Sequence, residues 1–519
     1  MRRFFLWILT AALAVQASAQ HAGPKKYGEL INVSDAYKHL SILASDEFEG
    51  RETGTRGAMK AANYIAGEFE KTGLKAPVNN SYFQPVPLVE KKIEVNSFQV
   101  NHVPFQYAED FYFSGETGAS VHVNEIVFAG YGISSNAYDD LKDVDVQGKV
   151  VLVINQGEPV TKGISAITKS AKPSEWSLNN AMRIENLQRH KPALILAVNS
   201  NVPEILKKYS KYFTEGRMTI REEEKDQTHP ASVINITPAI ADQLLKRSGK
   251  KLKALQAEIN DTGKPNSKSV NADFTFSYQV KSREVNASNV LGYLEGGDLK
   301  DELLVISAHY DHVGLNPGGV DTVYNGADDD ASGTTAVIEL ARVFAQAKKD
   351  GNGPRRSILF LGNTAEEKGL LGSLWYTDNP VFPLPKTITN LNIDMIGRVD
   401  SAHLQSPDYC YLIGSDKLST ALHRISEKAN AEYTNLILDY KYNADDDPER
   451  IYYRSDHYNF AKHNIPIIFY FNGVHEDYHQ PGDEIDKINF DLLVKRTKLI
   501  FYTAWELVNR DERPAVDVR

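Results

Sequence analysis

The sequence predicts an α/β protein: a mainly parallel central sheet flanked by helices, with a β-rich domain inserted into it. Three observations predict it. From about residue 287 onward, apolar runs of β-branched and aromatic residues alternate with helical segments, the pattern of a sheet whose parallel strands are joined by crossover helices. Between about 120 and 265 that alternation gives way to short β-type runs and a Lys/Glu-rich segment, which marks a unit of a different kind. The 519 residues, 42% hydrophobic and 24% charged, suffice for more than one buried core.

In chain order, Arg2-Arg3, the apolar run Phe4 to Val15 and Ala17-Ser18-Ala19 read as a secretory signal over 1–19, ending before Gln20. The run is about a dozen residues, short of the ~20 that a membrane span needs. Residues 20–120 form an N-terminal segment that opens on helical spacing over about 34–75, interrupted by the polar loop SDEFEGRETGTRG. Short strands are expected at Phe98 to Val103, Glu125 to Phe128, Val150 to Ile154 and Ala193 to Val198. The inserted domain is drawn at 121–265 and the catalytic domain at 266–519. In the latter, strands are expected at Leu303–Ala308, Ile358–Leu361, Ile388–Ile396 and Ile467–Phe471. Helices follow them at about 332–348, 369–377, 416–430 and 489–508.

Charge and cysteine usage exclude several functions. A net charge of −10 with no long Lys/Arg run gives no footing for a polyphosphate backbone, so nucleic acid is not an expected partner. Cys410 is the single cysteine; it cannot form an intrachain disulfide, and thiolate-rich metal or redox sites are ruled out. A bound metal must be met by His, Asp and Glu. Together with the signal, the lack of disulfides points to a secreted or periplasmic protein.

In open α/β sheets ligands bind beyond the carboxyl ends of the strands. The first polar residues after the expected strands are His309, Tyr310, Asp311 and His312, then Asp328-Asp329-Asp330 at a helix start; Glu366-Glu367; Asp394; and His479. Each alone has an ordinary reading as a helix cap, a surface acid or a packed imidazole. Their recurrence on successive strand ends of one sheet makes a carboxylate and imidazole set suited to zinc. His475-Glu476-Asp477-Tyr478-His479 also satisfies H-E-x-x-H, but Asn472-Gly473 and Pro481-Gly482 leave too little length for the helix that signature requires. His479 is kept as a candidate ligand, and His475 and Glu476 are assigned to a loop. Asp445-Asp446-Asp447 lacks EF-hand spacing and reads as a solvated loop.

SAHYDHVG, NGADDDASG, NTAEEKGLLGS, NLNIDMIGR and YHQPGDEIDKI, in this order, resemble the signature segments of the di-zinc aminopeptidase family, which also contains glutamate carboxypeptidase, transferrin receptor and glutaminyl cyclase. LASDEFEGRETGT resembles the N-terminal segment of its bacterial secreted members, and VFAGYGISSNAYDDLKDVDVQGKVVLVI resembles the protease-associated domain often inserted in that fold. The resemblance implies two zinc ions per chain. His309 and Asp394 would hold one ion, Glu367 and His479 the other, and Asp329 would bridge both. Asp328 stands where the family pattern has Asn, so two neighbouring carboxylates compete for the bridging role. Glu366 would be the general base, Asp311 would orient the His309 imidazole, and Tyr478 would hydrogen-bond the developing oxyanion.

Two zinc ions close together lower the pKa of a shared water and polarise the scissile carbonyl, so that hydroxide attacks at neutral pH. The expected function is an exported exopeptidase acting on peptides, an aminopeptidase first. The alternatives are a glutamate carboxypeptidase-like carboxypeptidase and a non-catalytic binding module like transferrin receptor. Ser455-Asp456-His457 lists the residue types of a hydrolase triad, but adjacent residues do not form one and no G-x-S-x-G elbow is present.

Overall fold

The computed structural model describes residues 23–221 and 230–518; the expected leader at 1–19 lies outside them. Among the described residues two compact units emerge, one made of residues 23–88 with 285–518, the other lying between Val89 and Glu284.

The first unit is built on seven strands: β1 (Lys268–Leu294, entering the unit at Val285), β2 (Leu299–His309), β3 (Arg356–Asn363), β4 (Thr387–Ile393), β5 (Tyr409–Ile413), β6 (Ile437–Asp439) and β7 (Ile467–Phe471). Their spatial order is β6-β5-β7-β4-β2-β3-β1. The central four run parallel, β5 is antiparallel to β7, and β1 is antiparallel to β3. Helices α1 (Val33–Leu43), α2 (Arg56–Thr72), α3 (Ala331–Lys349), α4 (Leu371–Asp378), α5 (Thr420–Ala429) and α6 (Phe490–Asn509) surround the sheet.

Alternation sends the apolar residues of the central strands to both faces of the sheet. Leu304, Ile306 and Ala308 of β2 point into a core shared with Ile338 and Phe344 of α3 and Phe501 of α6. Leu303 and Val305 point the other way, onto Tyr376 of α4 and Phe460. Strands covered on both faces favour apolar residues, and the polar ones in β4 are hydrogen-bonded in the interior, Asn390 donating to Ser307 and Asn392 to Ser455. The helices start where the sequence supplies caps: Asn32, Thr55, Asp330 and Asn489 each accept a backbone N–H of the first turn. The expected helices and parallel strands of this unit are all present. β5 and β6 fall outside that expectation, and Cys410 lies buried in β5.

The second unit takes in 121–265 together with flanking strand on either side. Val150–Ile154, Leu194–Val198 and Ser232–Ile236 run parallel, Ala119–Phe128 joins parallel to the first, and Phe111–Phe113 pairs antiparallel with the last. Helices Ala181–Arg189, Val202–Thr214, Pro238–Leu245 and Leu252–Thr262 accompany them. Its core holds Leu152, Leu196 and Ile234 with stacked aromatics, Phe98 lying 4.0 Å from Phe111 between ring centroids. Buried Arg183 donates to the carbonyls of Ile154, Gly157 and Trp176.

No helix among the described residues is long and apolar enough to cross a membrane.

Candidate functional site

Because β2, β3, β4 and β7 are parallel, their carboxyl ends lie on one edge of the sheet. His309 is the last residue of β2, Glu366 and Glu367 follow β3, Asp394 follows β4, and the segment after β7 carries His479. The structure therefore brings together every candidate ligand chosen from the sequence.

The three consecutive aspartates do three different things. Asp330 caps α3 by accepting from Gly333 N, and it also accepts from the backbone of His309 and Met395, tying the ends of β2 and β4 to the helix start. Asp328 turns aside: its carboxylate accepts from Gly397 N, and the other oxygen lies 3.2 Å from His475 Nε2. Asp329 faces the edge, with Oδ1 3.3 Å from His309 Nε2 and Oδ2 3.0 Å from His479 Nε2. Of the two competing carboxylates, it is Asp329 that lies between the imidazoles. Buried Asp483 holds this turn by accepting from the backbone N–H groups of both Asp328 and Asp329.

Two groups of possible ligand atoms result: His312, Asp329, Glu367 and His479 in one, His309, Glu366 and Asp394 in the other. His309 Nε2 is 3.6 Å from Asp394 Oδ1. His479 Nε2 and His312 Nδ1 are each 3.0 Å from Glu367 Oε1. His479 Nε2 and Asp329 Oδ2 are buried, 3.0 Å apart, and neither satisfies a hydrogen bond. Buried polar atoms without partners are costly, and a set of imidazole nitrogens and carboxylate oxygens closing on a common point fits a divalent cation such as zinc.

The acids differ in environment. Burial pushes the Glu366 carboxyl well above the usual range; His309 opposes this, while Glu367 and Asp394 add to it. For Glu367, burial and the Asp329 charge push upward, but hydrogen bonds from His312 and His479 outweigh them and bring it down to about 2. Ala365, Met395 and His479 all adopt left-handed backbone with φ of 55–57°. Strained non-glycine positions thus sit beside Glu366, beside Asp394 and at His479 itself.

The supporting contacts are specific. His309 Nδ1 pairs with the Asp311 backbone carbonyl at 3.0 Å, while the Asp311 carboxylate, 3.9 Å from that nitrogen, accepts from Thr53 Oγ1 and Glu366 N. Asp311 thus links the His309 loop to the Glu366 loop. Asp394 Oδ2 accepts from Ser455 Oγ at 2.7 Å. Asp456 accepts from Asn363, and His457 Nε2 pairs with the Tyr452 carbonyl, so S-D-H is three separate contacts and no triad. Residues 475–479 form a turn, not a helix. Tyr478 stacks on His479, its hydroxyl 3.5 Å from Arg454 Nη2, on a cleft whose apolar side includes Met395, Phe469 and Phe471.

One contributor has no functional signal in its own neighbourhood. Arg51 is fully buried and donates to the carbonyls of Leu43, Tyr310, Asn325 and Gly326. It locks the N-terminal loop to the turns that carry His312 and Asp329. The one signal available was a charged residue inside a glycine-punctuated loop, G-R-E-T-G.

Part of the chain is similar to known proteins. Residues 289–504 match the model of peptidase family M28. Aminopeptidase YwaD of Bacillus subtilis is 26% identical over 236 residues, covering 44% of this chain and 46% of that protein. A probable zinc metalloprotease of Phaeosphaeria nodorum is 27% identical over 287 residues, covering 44% and 54%. The chain thus spans about half the length of the curated relatives it matches. A solved aminopeptidase from Aneurinibacillus sp. strain AM-1 covers 96% of this chain and 98% of its own with a TM-score of 0.54; at 17% identity this likeness shows the fold alone.

Proposed function

We propose that this chain is an exported, zinc-dependent aminopeptidase of the M28 kind that removes residues from the N-terminus of peptides. One observation carries the proposal: two donor groups joined through Asp329, with buried Glu366 in one of them, at the floor of a partly apolar cleft. His309 and Asp394 would hold one ion, Glu367 and His479 the other, and Asp329 would serve both. Zinc bound there supplies Lewis acidity, lowering the pKa of a water and polarising the scissile carbonyl.

The chain's own residues supply the rest. Glu366, buried beside His309 and Asp394 at the cleft, takes the proton of the attacking water and delivers it to the leaving amine. Asp311 holds the Glu366 backbone while its carbonyl orients His309. Tyr478 donates its hydroxyl proton to the developing oxyanion. The second unit is proposed as an inserted protease-associated domain, and residues 1–19 as the export signal.

Zinc-loaded chain is to be assayed on aminoacyl anilides with a free amine and on N-blocked peptides, before and after chelation. Hydrolysis of the free-amine substrates, lost with the metal and restored by zinc, is expected. Turnover of only the blocked peptides would reject the aminopeptidase reading, and turnover untouched by chelation would reject the metal. The mature N-terminus of exported protein is expected at Gln20.

A further inference from the structure

We infer that His475 is a positioning residue for His479: through Asp328 it ties the loop that carries His479 to the turn that carries Asp329. His475 itself binds no ion. The inference rests on the two-metal reading above.

His475 opens the H-E-x-x-H string, which lacks the helix that would make it a zinc ligand. Yet it is not a solvated loop residue. Its side chain is 1% exposed and that of Asp328 0%, and His475 Nε2 lies 3.2 Å from Asp328 Oδ2. Neither atom meets another hydrogen-bond partner among the described residues. Leaving buried polar atoms unpaired is costly, so each is the other's one available partner. The second Asp328 oxygen accepts from Gly397 N, which fixes the carboxylate that the imidazole faces.

The contact reaches His479 through the backbone. The His475 carbonyl accepts from Tyr478 N at 3.1 Å, and Asp477 accepts from Arg398 Nη2 at 2.9 Å and Lys487 Nζ at 2.8 Å. His479 follows this turn with a φ of 55°, a conformation that a non-glycine residue keeps only where its surroundings impose it. Past His479, Asp483 accepts from Asp328 N and Asp329 N. The loop is therefore fastened to the aspartate turn on both sides of His479, by an imidazole before it and a carboxylate after it. The backbone at His309 and beside Asp394 is fastened separately, through Asp330. Loss of His475 thus loosens His479 and leaves His309 and Asp394 in place.

Zinc retained by the intact chain against rising EDTA, with metal content measured at each step, tests this. The native chain is expected to hold two ions. His475→Asn, whose amide stops at the place of Nδ1 and falls short of Asp328, is expected to release one ion at an EDTA concentration about 10–100-fold lower and the other as the native chain does. His475→Gln, whose amide reaches the place of Nε2, is expected to retain both as the native chain does. His475→Leu, which fills the buried position without a polar group, is expected to behave as His475→Asn and decides if the latter does not fold. Both ions weakened alike, both held as in the native chain, or no difference between the Asn and Gln variants would overturn the inference and leave the two-metal reading standing. A native chain holding a single ion would overturn that reading and the inference with it.

Discussion

Both units bury short parallel strands of Val, Ile and Leu among helices, and they differ at the strand ends. In the second unit, Val150–Ile154 runs into Asn155-Gln156-Gly157 and Leu194–Val198 into Asn199-Ser200. Asn155 N pairs with the Val198 carbonyl, and Ser200 donates to Gln156, so these ends bond to each other. In the first unit the corresponding ends carry His309, Glu366, Glu367 and Asp394, and their side chains converge across strands. The same parallel layering serves as packing in one case and as the support of an edge lined by imidazoles and carboxylates in the other. Chemistry is decided by a handful of residues in the first turn after each strand, where the backbone direction is already set by the sheet.

Substitutions test how far that division holds. The largest effect is expected from Glu366→Gln, with turnover falling about 10²–10⁴-fold while bound zinc, measured by elemental analysis, is unchanged. Retained activity would remove Glu366 from the chemistry. Leu196→Ala empties a fully buried position in the second unit and is expected to cost about 2–5 kcal/mol in urea unfolding, with kcat unaltered. A matching fall in kcat would break the comparison by giving the second unit a part in the reaction. Tyr478→Phe is expected to lower kcat by roughly tenfold to a hundredfold with little change in KM, at most the effect of losing one oxyanion donor.

The smallest effects are in pH dependence, where the units move in opposite directions. Burial raises the Asp140 carboxyl of the second unit from 3.8 to about 7. Between those values the folded state holds a proton that the unfolded state has lost, so stability falls as pH rises from about 4 to about 7, by up to ~1.4 kcal/mol per unit. Burial lowers His457 in the first unit from 6.5 to about 3. There the unfolded state takes the proton first, so stability falls as pH drops below about 6.5. Asp140→Asn is expected to flatten the first slope of the urea midpoint, and His457→Asn the second; an unchanged slope in either variant would show that its residue does not titrate as its burial requires.

Much of the first unit is legible in one dimension. Four apolar runs spaced by helical segments imply parallel strands, and parallel strands imply a common carboxyl edge, which selects His309, Glu366, Glu367, Asp394 and His479 without coordinates. The unread parts share a cause. β5 and β6 sit at the end of the sheet, β6 only three residues long, too short for a periodic signal. Arg51 lies more than 250 residues from Tyr310 and Gly326, whose carbonyls it binds, and local sequence holds no trace of so distant a partner. His312 follows the same expected strand as His309, yet only the fold shows that it points toward Glu367.

The sequence by itself determined the layer architecture, the strands whose ends carry chemistry and the restriction of any metal to oxygen and imidazole ligands, because periodicity and residue type are local properties. Tertiary structure alone decided which of three adjacent aspartates faces the imidazoles, that Asp311 orients His309 through its carbonyl, and that two ligand groups meet at Asp329. Those outcomes depend on side-chain direction and on contacts between segments far apart in the chain, and both are set only when the strands have packed.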